Sequence, residues 1–188
     1  MSTASLTRPS IFEWLVDGAG IYHEQARALI DLGFLDAPAS KGHHLACRGG
    51  LAAHSGNVCR RLLDQTRALG VNWSRPASPY LVALLHDLVK CKCYKPRPEG
   101  GYDYVQPEWP WHGLASAMIA MSELGVMLYP DEAAAIIHHM GAFGLSGRAL
   151  DEFDAALERW PAQIIATHAA DWAASRLDEA IETKGNAQ

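Results

Sequence analysis

The chain has 188 residues, a formal net charge of −5 and 49% hydrophobic residues. That length and composition predict one globular domain over residues 1–188 with a single sizeable core, and the acidic balance argues against nucleic acid as a partner held by broad phosphate neutralisation. No apolar run approaches the roughly 18 residues that span a bilayer, and residues 1–10 lack an apolar signal core, so the expectation is a cytoplasmic protein with no membrane partner.

In chain order, Ser10 is placed to cap a first helix through Ile11, Phe12, Trp14 and Leu15, making residues 1–20 a helical N-terminal extension. Residues 21–32 read as a second helix that stops at Gly33, and residues 34–49 as a loop marked by Pro38, Ser40, Gly42 and Gly49. Leu51, His54, Ser55, Val58 and Leu62 recur on one face of a third helix. After a turn-rich connection over 73–79, a fourth helix runs from about 80 to 90. Residues 91–110 differ in composition: Pro96, Pro98, Gly100, Gly101, Pro107 and Pro110 break any helix. Tyr94 and residues 102–105 fit two short strands around the Glu99-Gly100-Gly101 turn. A loop insertion of this length is usually functional, and an aromatic and basic one reads as a lid or pocket wall. Helices resume over 112–124, 131–140, 150–157 and 161–177, with Pro130 and Pro161 at helix starts. The predicted fold is an all-α helical bundle with one irregular insertion, a candidate β-hairpin, after the fourth helix.

His86-Asp87 closes the apolar run Leu81-Val82-Ala83-Leu84-Leu85. An ionised carboxylate buried there without a partner is very costly, and a cation offsets that cost while using both groups as ligands. His54 lies on the apolar stripe of its helix, and Asp171 sits among Ala169, Ala170, Trp172, Ala173 and Ala174. Each can be read as an isolated core residue with a hydrogen-bond partner. One cation held by His54, His86, Asp87 and Asp171 satisfies all four together and leaves room for water. His112 and His139 supply ligands for a second ion. Nitrogen and carboxylate donors suit a divalent transition metal, one or two ions, among Mn, Fe, Co, Ni or Zn. Cys47, Cys59, Cys91 and Cys93 form no paired C-x-x-C framework and read as unpaired thiols, Cys91 and Cys93 as packing residues or a weak metal motif.

The ordered series His54, His86-Asp87 and Asp171 resembles the signature of the HD-domain superfamily of metal-dependent phosphohydrolases. Pro38-Ala39-Ser40, His44 and Gly49-Gly50-Leu51-Ala52-Ala53-His54-Ser55 resemble the N-terminal motif of its small bacterial and phage members. Leu84-Leu85-His86-Asp87-Leu88-Val89-Lys90, His138-His139-Met140-Gly141 and His168-Ala169-Ala170-Asp171 resemble three further motifs, so the likeness covers residues 21–177. It implies His54, His86, Asp87 and Asp171 as ligands of a first metal and His112 with His139, favoured over His138 by motif register, as the extra histidines of binuclear members. The absence of Gly-Tyr-Pro after the His-His pair sets the chain apart from cyclic-di-GMP phosphodiesterases of that superfamily.

The implied activity is hydrolysis of a phosphate ester or anhydride in a nucleotide or similar small phosphorylated substrate by metal-activated water, with Asp87 bridging two ions. Lys90, one turn after His86-Asp87, is a helix-end cation or a holder of substrate phosphate. His44 is placed to bind phosphate or protonate a leaving group. Lys92, Lys95 and Arg97 make a basic rim, and Arg48 and Lys41 are further phosphate contacts. Tyr94, Tyr102, Tyr104 and Trp109 either stack on a base or pack the loop on the bundle. Two other functions fit the same residues: an HD-type di-iron oxygenase and a non-catalytic regulatory or binding HD module. An oligomer is compatible with the sequence.

Overall fold

A computed structural model describes residues 8–106, 108, 111–143 and 145–179; Pro107, Trp109 and Pro110 lie outside the described residues. Among the described residues nine α-helices follow one another: α1 (Arg8–Ala19), α2 (His23–Asp31), α3 (Gly50–Leu69), α4 (Ser78–Leu85), α5 (Lys90–Cys93), α6 (His112–Ser122), α7 (Pro130–Ile137), α8 (Arg148–Arg159) and α9 (Pro161–Ala173). A two-stranded antiparallel hairpin, β1 (Tyr94–Pro96) and β2 (Tyr102–Tyr104), interrupts them after α5, with Tyr94 opposite Tyr104. The fold is therefore helical with a small hairpin at the expected place.

Helix α3 is the axis of the core and packs against α1, α4 and α9. Its buried residues include Leu51, His54, Ser55, Val58 and Leu62, the face the 3.6-residue period marks out. Leu15 of α1 and Leu81, Leu84 and Leu85 of α4 are buried in the same cluster. Each such leucine contributes roughly 1.5–3 kcal/mol through burial, enough to fix α3 against its neighbours. Phe153 of α8 and Ile164 of α9 form a smaller cluster with Leu150, Leu157 and Trp160. No helix among the described residues is long and apolar enough to cross a membrane.

Two helices end earlier than their sequence pattern predicts, and both ends matter. The apolar run predicts a helix to residue 90, yet α4 stops at Leu85 and residues 86–89 form a turn. Leu88 N–H bonds to the Leu85 carbonyl at 3.2 Å and Lys90 N–H to the Asp87 carbonyl at 2.9 Å, an i→i+3 pattern. Adjacent side chains on a straight helix diverge by roughly 100°. On this turn both His86 and Asp87 reach one centre. Likewise α7 ends at Ile137, so His138 and His139 lie on the turn after it.

Candidate metal centre

The cluster is delivered by α3, α6, α9, the turns after α4 and α7, and the 34–49 loop. The middle of the 34–49 loop is pinned by Ser40, whose hydroxyl donates to the His44 carbonyl at 2.7 Å and accepts from His43 N–H at 3.0 Å. Helix α3 begins directly under this loop. A Cβ on Gly50 would lie 2.0 Å from the Leu45 carbonyl oxygen, so only glycine lets the loop close over the helix and set His44 against His54, ring centres 5.4 Å apart. Gly113 serves α6 in the same way: a Cβ there would lie 2.3 Å from the Ile137 carbonyl oxygen. That close approach brings His112 beside His139, ring centres 5.6 Å apart.

The sequence-predicted ligands converge. His54 Nε2 lies 3.1 Å from Asp171 Oδ1, 3.3 Å from Asp87 Oδ2 and 3.3 Å from His86 Nε2. His86 Nε2 is 3.4 Å from Asp87 Oδ2 and 4.0 Å from Asp171 Oδ1. On the other side of the carboxylate, Asp87 Oδ1 is hydrogen-bonded to His112 Nε2 and lies 3.5 Å from His139 Nε2. Ligand atoms about 2.1 Å from one ion stand roughly 3.0–3.4 Å from one another in octahedral or tetrahedral arrangement, which is the spacing found here. The groups His54, His86, Asp87 and Asp87, His112, His139 each place ligand atoms within 4.8 Å of one another, so each can hold a metal ion.

Proton positions sharpen the fit. His86 Nδ1 faces the Ala83 carbonyl at 3.0 Å and His139 Nδ1 the Ile136 carbonyl at 2.7 Å. A carbonyl only accepts, so both Nδ1 atoms carry the hydrogen and both Nε2 atoms present lone pairs. His54 Nδ1 faces Glu179 at 2.8 Å, which turns its Nε2 inward too. Buried His139 Nε2 makes no hydrogen bond. Three imidazole Nε2 atoms therefore face the Asp87 carboxylate with Asp171 beside it. A proton or a metal ion are the positive charges that reconcile such a set of acceptors, and second-layer carbonyl and carboxylate partners are the usual orienters of metal-binding histidines.

The electrostatics agree. Burial disfavours charge on His54, yet Asp171, Asp87 and Glu179 outweigh it and hold its pKa well above the ordinary value. Burial opposes ionisation of Asp87 as well, but Lys90, His86 and His112 keep it well below the carboxylate range. His86 has no such surplus of acid, and its burial pulls it down. At half-buried Asp171, desolvation opposes ionisation, but His54 pulls the carboxyl low. Burial pulls His44 down, keeping it neutral near pH 7.

Lys90 hydrogen-bonds Asp87 and lines, with His44, His112 and Asp171, a cavity of about 610 Å³ in front of the cluster. The remaining predicted substrate residues stand elsewhere. Lys92 pairs with Glu123 at 2.6 Å on the surface, Lys95 is exposed, and neither lines this cavity. Arg48 and Tyr94 line a second cavity with Tyr102 and Arg97, where Arg48 meets Asp36 at 2.6 Å. The rim beside Asp87 is thus not built by the hairpin; loop charges went to the nearest carboxylates. Tyr104 is exposed on the hairpin, its ring 6.0 Å from Tyr94, and Trp109 lies outside the described residues. His138 turns away, its ring 5.4 Å from Phe153, while His168 donates to the His139 carbonyl at 2.7 Å. No cysteine enters a group of ligand atoms among the described residues.

Sequence reasoning missed Glu179, Trp172, Ser175 and Arg176. The last three line the Asp87 cavity. After α9 the chain makes a π turn over Ala174–Asp178. Its i→i+5 bonding shifts the helical register, so Glu179 is buried against His54 while Asp178 turns outward to Arg61. A plain helical projection gives no signal for that shift. Compared with known protein families, with curated proteins and with solved structures, the chain matches none.

Proposed function

We propose that the chain is a metal-dependent phosphohydrolase of the HD kind, cleaving a phosphate ester or anhydride of a nucleotide or similar small substrate with water. The observation that carries this reading is Asp87: its two oxygens face separate sets of imidazole nitrogens at the floor of a cavity. His54, His86, Asp87 and Asp171 would hold one divalent ion; Asp87, His112 and His139 would hold a second. Such an ion, when bound, brings the pKa of water toward neutrality and draws charge from a phosphoryl oxygen.

The protein's own groups do the rest. Lys90 offsets the charge on Asp87 and keeps it ionised. Glu179 and the Ala83 and Ile136 carbonyls fix three imidazoles with Nε2 turned inward, so the cluster needs no rearrangement during turnover. His44 stands at the cavity wall with Nε2 toward Glu179 at 3.7 Å. Its Nδ1 is the nitrogen available to exchange a proton with the leaving group.

Metal analysis of protein purified without added metal, followed by assays of phosphate release from nucleotides and sugar phosphates, tests the proposal. Metal-dependent release that stops on chelation is the expected result. Two irons per chain with an oxygen-dependent optical change and no phosphate release would replace hydrolysis with the oxygenase.

A further inference from the structure

Two cations other than histidine stand in the wall of the Asp87 cavity, Lys90 and Arg176. They are in different situations. Lys90 is already committed: its Nζ sits on Asp87. A second anion brought into the cavity would have to compete for it. Arg176 is exposed, and among the described residues no carboxylate lies within 4.0 Å of it. The acid nearest to it in sequence, Asp178, is taken by Arg61 through two hydrogen bonds. Arg176 is thus a cavity cation with its full hydrogen-bonding fork unspent.

Its neighbours fit the same role. Trp172 precedes Arg176 by four residues, and Ser175 lies between them; all three line the cavity. Trp172 is 61% exposed, a large indole face left in water at the mouth of a polar cavity. The stretch therefore offers a planar donor fork and a flat apolar wall side by side, facing the floor where Asp87 lies.

We infer that Arg176 anchors the substrate's anionic group and that Trp172 bears the substrate's organic part, so that the ligand is a phosphorylated organic molecule held from the π turn rather than from the hairpin. The inference rests on the hydrolase reading for the identity of the reaction but not for the binding itself. A guanidinium takes two phosphate oxygens at once, which fixes the group's orientation as well as its position.

Calorimetric titration of the metal-loaded protein with inorganic pyrophosphate tests the anchor. R176A is expected to bind on the order of tenfold or more weakly, the loss typical of a hydrogen bond to a charged group, with R176K restoring part of it. Metal content should be equal in all three proteins, since Arg176 touches no ligand. Equal affinity in R176A at equal metal content overturns the anchor. For the organic part, W172A should raise KM for an aromatic phosphate ester and leave pyrophosphate affinity unchanged; an unchanged KM overturns that half. Should no phosphate ester be turned over, the hydrolase reading falls, while Arg176-dependent pyrophosphate binding would still establish the anion site.

Discussion

Glu132, near the N-terminal end of α4, is buried as completely as Asp87 just past its other end. The two carboxylates are treated in opposite ways. Glu132 accepts from Arg75 Nε at 2.7 Å, Arg75 Nη2 at 2.9 Å, Ser78 Oγ at 2.7 Å and the Tyr129 N–H at 2.8 Å. Asp131 beside it accepts from the Ser74 N–H and hydroxyl. Donors there match acceptors, and a built-in guanidinium supplies the balancing charge. Around Asp87 no guanidinium is built in: Lys90 and His112 bond to the carboxylate, while the Nε2 atoms of His54, His86 and His139 and a second carboxylate crowd in. Burial of an acid therefore does not mark a metal centre. A group of carboxylate and imidazole atoms converging on one point does mark a possible one, because a proton or a bound cation completes it.

The contrast breaks most visibly at Asp87. In Asp87→Asn the metal should be lost, and activity should fall by more than the roughly 100-fold that removal of an orienting partner costs. Elemental analysis and phosphate-release rates check this, and a variant that keeps both metal and rate would erase the distinction between the two acids. Glu132→Ala should act on the other axis. It removes one partner of a buried pair and should lower unfolding stability by about 3–5 kcal/mol in urea titrations while metal stoichiometry stays constant. A smaller but more discriminating effect belongs to Glu179. Glu179→Ala should weaken metal binding about 10–100-fold, whereas Glu179→Gln, which still offers an oxygen to His54 Nδ1–H, should recover most of it. Equal losses in both variants would make charge, rather than orientation, the contribution of Glu179. The least perturbing test concerns sulfur. Burial pushes the Cys59 and Cys91 thiols up to about 12, so at neutral pH both are protonated and poorly nucleophilic. Iodoacetamide on the folded protein should label exposed Cys47, spare Cys59 and Cys91, and leave the metal in place.

How much of this was legible in the chain depended on which physical rule placed each residue. His54 followed from the 3.6-residue period of α3, and the His86-Asp87 pair from the cost of charge in an apolar run. These are local rules, and they picked out residues that the fold brings together. The turn over residues 86–89 was not legible, because a run of Leu and Val carries no breaker; the Ser116 hydroxyl accepts the Val89 N–H at 3.2 Å, a contact made across the bundle. Lys92 and Arg48 were misplaced for a related reason. A charge in a loop is settled by whichever carboxylate the fold brings close, and Glu123 and Asp36 lie on other elements. Glu179 and Arg176 escaped because a periodic reading assumes one register from Pro161 onward.

The π turn imposes a length constraint on a stretch in which Arg176 and Leu177 are exposed and Ala174 is buried. Residues 174–178 carry one position more than a straight helical path needs to bridge Asp171 and Glu179. Loss of any one of them would restore the ordinary pitch, rotate the following acid out of reach of His54 and strip Arg61 of its partner. A change of side chain here disturbs only that residue's own contacts, whereas a change in the number of residues moves every group beyond it at once, so the segment acts as a spacer of fixed count between Asp171 and Glu179.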